Sequence, residues 1–173
     1  FLGDDQFIIS LRAPIMLFDN GYGWFNLNLE NNDIETILDN FQIKNSLELL
    51  KKTIDYFVKK YHLKGNKTIL GFSQGAIISW SLIFDNYINF EKIISLSGFI
   101  NFKYKINLNP EIKKIKCFIS HGINDMVIPI ELSRKTKAFL KENNFNIEYK
   151  EYDEGHNISQ QNLNDLISWL KTK

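Results

Sequence analysis

A chain of 173 residues, 44% hydrophobic and 14% aromatic, can bury one substantial core and is too short for two comfortable domains. Its formal net charge of +1, with charges dispersed and no block of one sign, provides no long-range field to draw in nucleic acid or an acidic membrane surface. No run approaches the ~18 apolar residues of a membrane span. Cys117 is the only cysteine, so no intrachain disulfide forms, which is compatible with a reducing compartment. It lies in the apolar run 115–119 and reads as a small buried hydrophobe. The chain opens at Phe1 rather than methionine, so it is silent on any signal peptide.

In chain order, the apolar run 7–11 ends before Pro14 and predicts a buried strand. The following residues, to about 32, hold Gly21, Gly23 and several asparagines and read as loop. Residues 33–61 read as helix in two pieces. The second places Leu47, Leu50, Ile54, Phe57, Val58 and Tyr61 on one face at spacings of three and four. A strand is expected at 68–72, then a helix over 74–86 that is apolar on nearly all sides and therefore buried. Strands follow at 92–97 and 115–120. A helix over 131–142 presents Leu132, Thr136, Phe139 and Leu140 on one face. Residues 147–152 alternate apolar and charged, as a strand near a sheet edge does. Leu163, Leu166, Ile167 and Leu170 mark a closing amphipathic helix. Strands separated by helices imply βαβ crossovers and a mainly parallel sheet, so the fold class is α/β.

Gly71-Phe72-Ser73-Gln74-Gly75 satisfies the G-x-S-x-G pattern of a nucleophile elbow, a sharp strand-to-helix turn that lifts a serine hydroxyl clear of a sheet. Small residues two before and two after the serine would let the strand and helix backbones approach closely. Chance alone supplies the pattern in roughly one chain in twenty of this length, so context decides. Here the motif follows a predicted strand and opens a buried helix.

A serine hydroxyl needs a base, and the base needs a group that holds its tautomer, in the chain order serine, acid, histidine. Three histidines are available. His62 precedes the serine at a helix end, where the helix dipole favours a partly exposed imidazole. His121 follows it but ends a strand, and reads as structural in the turn 121–122. His156 lies on the loop between the last strand and the last helix and is the expected base. For the acid, Asp125 lies on a loop after an intermediate strand. Asp85 sits near a helix end and reads as solvated, and Asp19 precedes the serine. Asp153 stays as an alternative acid.

These segments resemble the carboxylesterase and phospholipase branch of the α/β-hydrolases, which includes the acyl-protein thioesterases. Residues 10–14 are similar to its arginine-proline loop, 21–25 to its glycine-aromatic stretch, and 71–75 to its elbow. Residues 95–98 are similar to its next strand end, 121–129 to its acid loop and 155–156 to its histidine. The resemblance runs from about Phe7 to the C-terminus. It implies one α/β-hydrolase domain over residues 1–173, with a mainly parallel central sheet flanked by helices on both faces. It further implies hydrolysis of carboxylic esters or thioesters through an acyl-enzyme on Ser73, with His156 as base, Asp125 as acid and the Gln74 amide as oxyanion donor.

No metal or organic cofactor is implied. The expected partner is a small-molecule ester or thioester, without nucleic acid or stable membrane insertion. A homodimer and a cytoplasmic location are the accompanying expectations. The connection between Gly98 and Ile115 is too short for a lid domain, so the site should be open, with Trp24, Phe99 and Ile100 as candidates for an acyl pocket or for core packing. Two alternatives stand beside this reading: a non-catalytic binding protein on the same fold, and another acyl hydrolase such as a peptidase or lactonase.

The family's His-Gly oxyanion loop, near its start, has no counterpart before Phe7. An upstream strand and its loop are therefore expected to lie outside this sequence. Residues 7–11 should then stand about two strand spacings, roughly 9–10 Å, from 68–72.

Overall fold

A computed structural model describes residues 6–17, 20–26, 38–87 and 90–171 of the chain. Near its start two short strands, β1 (Ile15–Met16) and β2 (Tyr22–Gly23), pair antiparallel in the stretch expected to be loop. A ladder two residues long leaves no periodic signal in a sequence. Helix α1 (Asn40–Lys60) follows, its first amides at Phe41 and Gln42 received by the Asp39 carboxylate. Its buried face carries Ile43, Leu47 and Leu50. The first of the two expected helical pieces falls on residues 33–37, outside the described residues, and on the entry to α1.

The expected alternation then appears. Strand β3 (Thr68–Phe72) leads into α2 (Gln74–Phe84), and β4 (Lys92–Leu96) into a short 3₁₀ turn at Ile112–Lys114. Strand β5 (Lys116–Gly122), α3 (Ile130–Glu142), β6 (Asn146–Tyr152) and α4 (Gln160–Leu170) complete the chain. The four longer strands form one parallel sheet in the order β3-β4-β5-β6, with Gly71 opposite Ser95, Ser95 opposite Ile119 and Ile119 opposite Tyr149.

The two-residue period of the strands sorts their side chains to two faces. Ile93, Cys117 and Ile119 join Ile43, Leu47, Ile77, Trp80 and Leu140 in the larger core beneath α1, α2 and α3. Ile94, Leu96 and Phe118 face α4 through Leu166, with Trp169 packed against them. Helices thus cover both faces, as expected. Helix α2 is buried along Ala76–Phe84, and each large apolar side chain it buries contributes roughly 1.5–3 kcal/mol. Its two buried serines stay satisfied by bonding back one turn, Ser79 Oγ to the Gly75 carbonyl and Ser81 Oγ to that of Ile77. Cys117 is buried as expected, and burial pushes its thiol up and out of the reactive range.

One expected strand is corrected. Residues 7–11 are not in a strand, and Phe7 and Ile8 are 49% and 71% exposed. The Phe7 ring lies against Tyr61, and Leu11 packs partly on the core. An apolar run becomes a strand only where a second backbone offers a ladder, and no described strand stands beside this one. The expected two-strand separation from β3 therefore has no strand to be measured from, and no direct pairing of 7–11 with β3 occurs either.

Inside the core, Trp80 donates its indole N–H to Ser95 Oγ at 3.1 Å, and both residues are wholly buried. Ser95→Ala should cost about 1–3 kcal/mol, the penalty of a buried donor without a partner. Urea denaturation measures it, and an unchanged midpoint would remove this bond from the account.

Candidate active site

Ser73 occupies the turn between β3 and α2 with φ 55° and ψ −121°, a conformation that ordinary side chains rarely adopt. The surrounding backbone holds it there. Its N–H donates to the Leu96 carbonyl at 2.9 Å, and its own carbonyl receives the Ala76 and Ile77 amides at 3.0 and 3.2 Å. A serine at this helix position usually caps the helix with its hydroxyl. Ser73 makes no such bond, and its Oγ lies 2.9 Å from His156 Nε2 instead.

His156 Nδ1 is 2.7 Å from Asp125 Oδ2. An ionised carboxylate only accepts, so Nδ1 carries the proton and the neutral ring leaves Nε2 free to receive the serine's. The second oxygen, Asp125 Oδ1, accepts the Val127 and Ile128 amides at 2.8 Å each. Burial alone would raise the Asp125 carboxyl. Hydrogen bonds from His156, Ile128 and Val127 outweigh it and hold the group below the ordinary carboxylate range. The three residues chosen from chain order therefore meet in one hydrogen-bonded line.

The alternative acid and the other candidates lie elsewhere. Asp153 accepts from Asn124 Nδ2 on the exposed side of its loop. Asp85, expected to be solvated, instead pairs with Lys51 in a half-buried contact. His62 is exposed past the end of α1, and Asp19 is outside the described residues. His121, expected in a turn, is a wholly buried member of β5.

The loops that carry acid and histidine cross closely. A Cβ on Gly122 would stand 2.3 Å from the Gly155 carbonyl oxygen, so only glycine lets the two backbones touch there. At the elbow the two motif glycines differ. A Cβ on Gly71 would lie 2.2 Å from the Gly75 backbone, whereas one on Gly75 would meet nothing within 4 Å. The expectation that both are sterically required is corrected: both backbones meet at the strand–helix contact, but only Gly71 must lack a side chain there.

An open depression of about 370 Å³ adjoins Ser73, lined by Tyr22, Trp24, Phe72, Gln74 and Gly75. Trp24 is thus a lining residue, whereas Phe99 and Ile100 are 1% exposed and belong to the core. The Gln74 side chain has a role that the motif did not signal. Its Oε1 accepts the Trp24 amide at 3.0 Å and its Nε2 donates to the Phe25 carbonyl, which braces the segment after β2 against the elbow. Its backbone N–H, the first of α2, has no intrahelical acceptor and lies at the positive end of the helix dipole.

The model of the phospholipase/carboxylesterase family matches residues 5–173. The chain belongs to this family. Among its relatives, a probable carboxylesterase of Oryza sativa subsp. japonica is 32% identical over 111 residues, 61% of this chain and 41% of that protein. Acyl-protein thioesterase 1 of Saccharomyces cerevisiae is 30% identical over 154 residues, 86% of this chain and 67% of that protein. The chain thus spans less than half the length of the rice relative. The crystal structure of the Bacillus cereus carboxylesterase superposes with a TM-score of 0.78 at 21% identity, covering 91% of this chain and 71% of that one. At that identity the likeness speaks for the fold, which is that of an α/β-hydrolase. Among the described residues no helix is long and apolar enough to cross a membrane.

The glycine asymmetry is open to test. Gly71→Ala should destabilise by about 3 kcal/mol or more, because the colliding atoms are backbone and cannot turn aside. Gly75→Ala should stay within about 1 kcal/mol of the parent. Chemical denaturation of both variants checks this, and equal losses would contradict the assignment of the close contact to Gly71.

Proposed function

We propose that this protein is a serine hydrolase that cleaves carboxylic esters or thioesters through an acyl-enzyme. The observation that carries the reading is the unbroken line from Ser73 Oγ through both ring nitrogens of His156 to Asp125. Family membership and relatives named as carboxylesterase and acyl-protein thioesterase support it.

In this mechanism Ser73 Oγ attacks the substrate carbonyl carbon as His156 Nε2 takes the hydroxyl proton. Asp125 keeps the imidazole in the competent tautomer and stabilises its cation. The Gln74 amide, at the N-terminus of α2, stabilises the oxyanion. When the tetrahedral intermediate collapses, its bond to the leaving alcohol or thiol breaks, and His156 returns the proton to that group. Water then attacks the acyl-serine with His156 again as base, which releases the acid and restores Ser73. The open depression beside Ser73 favours small esters, lysolipids or acylated peptides over bulky neutral lipids.

The domain reading is proposed on the same footing. Strand β3, Thr68-Ile69-Leu70-Gly71-Phe72, has neither charge nor proline, the devices that protect a permanent sheet edge. Its Leu70 is 56% exposed. We read its outer edge as the seat of a further strand whose loop brings the second oxyanion donor.

Ser73→Ala should lower ester turnover about 10⁴-fold or more while leaving thermal stability nearly unchanged, and Asp125→Asn should lower it about 10³–10⁴-fold through the wrong imidazole tautomer. Labelling with a fluorophosphonate separates this reading from a binding protein on the same fold, since covalent capture needs an activated serine. Near-parental rates in Ser73→Ala would overturn the mechanism.

A further inference from the structure

Among the described residues, His121 is a buried titratable group in contact with the acid to which the mechanism gives no part. It is wholly buried in β5, one residue before the acid loop. Its Nε2 lies 2.8 Å from the Ile128 carbonyl oxygen. A carbonyl oxygen only accepts, so this nitrogen carries the hydrogen. The same Nε2 stands 3.3 Å from Asp125 Oδ2, the oxygen that His156 Nδ1 approaches to 2.7 Å. Two imidazoles therefore converge on one carboxylate oxygen. Ile128 is held through both of its backbone polar groups: its N–H donates to Asp125 Oδ1, and its carbonyl accepts from His121 Nε2.

We propose that His121 is a positioning residue for Asp125: its Nε2–H ties the end of β5 to residue 128, closing the acid loop so that the carboxylate meets His156. This rests on the hydrolase reading above. The loop it closes runs through Ile123, Met126 and Val127, all substantially exposed. Packing anchors the loop at the buried Ile128, and the hydrogen bonds at residues 125 and 128 shape the exposed stretch before it.

The clamp works because it is neutral. Burial lowers the proton affinity of His121 and outweighs the opposing effects of the Ile128 carbonyl, Asp125 and Glu151, while the charge on a protonated His156 lowers it further. A cation at this position would compete with the His156 imidazolium for Asp125 Oδ2. The neutral ring leaves the carboxylate charge to His156. Its Nδ1 is buried and has no hydrogen-bond partner among the described residues, so nothing there stabilises a second proton.

The first arm of the test needs no variant and no turnover. Ring ¹⁵N NMR of the full-length protein should show His121 as the neutral Nε2–H tautomer from about pH 5 to 9, below and above the ordinary histidine range. An Nδ1–H tautomer, or a charged ring in that range, would overturn the clamp. The second arm compares His121→Leu, which removes the donor, with His121→Gln, whose side-chain amide places one near Nε2. The leucine variant should lose about 10–100-fold in kcat with little change in KM, the signature of a misplaced catalytic group. The acid limb of its kcat/KM profile should move to lower pH, and the glutamine variant should stay close to the parent in both respects. Equal losses in the two variants, or a leucine variant with parental kcat and acid limb, would overturn the proposal. Failure of the hydrolase reading itself is visible separately, as a Ser73 inert to fluorophosphonate in a protein whose His121 still carries its proton on Nε2.

Discussion

Parallel pairing in register brings the carboxyl ends of all four long strands to one margin of the sheet, and every other feature of the site depends on that alignment. Phe72 ends opposite Leu96, Leu96 opposite Ser120, and β5 continues beside β6 as far as Gly122 and Tyr152. Ser73, Asp125 and His156 each follow one of these ends within a few residues. Ser73 and Asp125, 83 and 31 positions from His156 in sequence, thereby come within hydrogen-bond reach of its imidazole. A slip of one residue in any strand would turn its apolar face outward and also carry the loop that follows it out of line. Burial of the core and geometry of the site are set by the same register.

Within that frame the site places charge where little water can screen it. Asp125 is buried, and it stays ionised because three hydrogen bonds replace its hydration. Ser73 is held in strained backbone by bonds to its own N–H and carbonyl, so its hydroxyl is released from capping duty and turned towards His156. Neither feature helps the fold by itself. Both depend on a rigid surround, which Gly71 and Gly122 make possible by letting backbones meet where a side chain would separate them.

The parts of this arrangement that were readable in the sequence are those with a strong local signature. The strand at 68–72 and the buried helix after it were legible because apolar runs of those lengths and periods have few alternatives, although the helix ends at Phe84, two residues before the expected end. The serine, acid and histidine followed from chain order because few histidines competed. What depended on distant partners was not legible. Residues 7–11 look like a strand, yet a ladder needs a neighbour that local sequence does not name. The β1–β2 pair is too short to show a period. The Gln74 brace joins residues about fifty positions apart, and the role of His121 appears only when the ring is seen between Ile128 and Asp125. The motif also overstated Gly75, whose backbone crowds Gly71 but whose own Cβ position is open.

The central claim is that Ser73 Oγ becomes covalently acylated during turnover. Rapid mixing of the full-length protein with a short-chain p-nitrophenyl ester, acid quench and intact-mass measurement with peptide mapping would show this directly. The account predicts a transient mass increase equal to one acyl group, confined to the peptide containing Ser73 and decaying as free acid appears. Turnover with no adduct on that peptide, or with the acyl group on another residue, would contradict it.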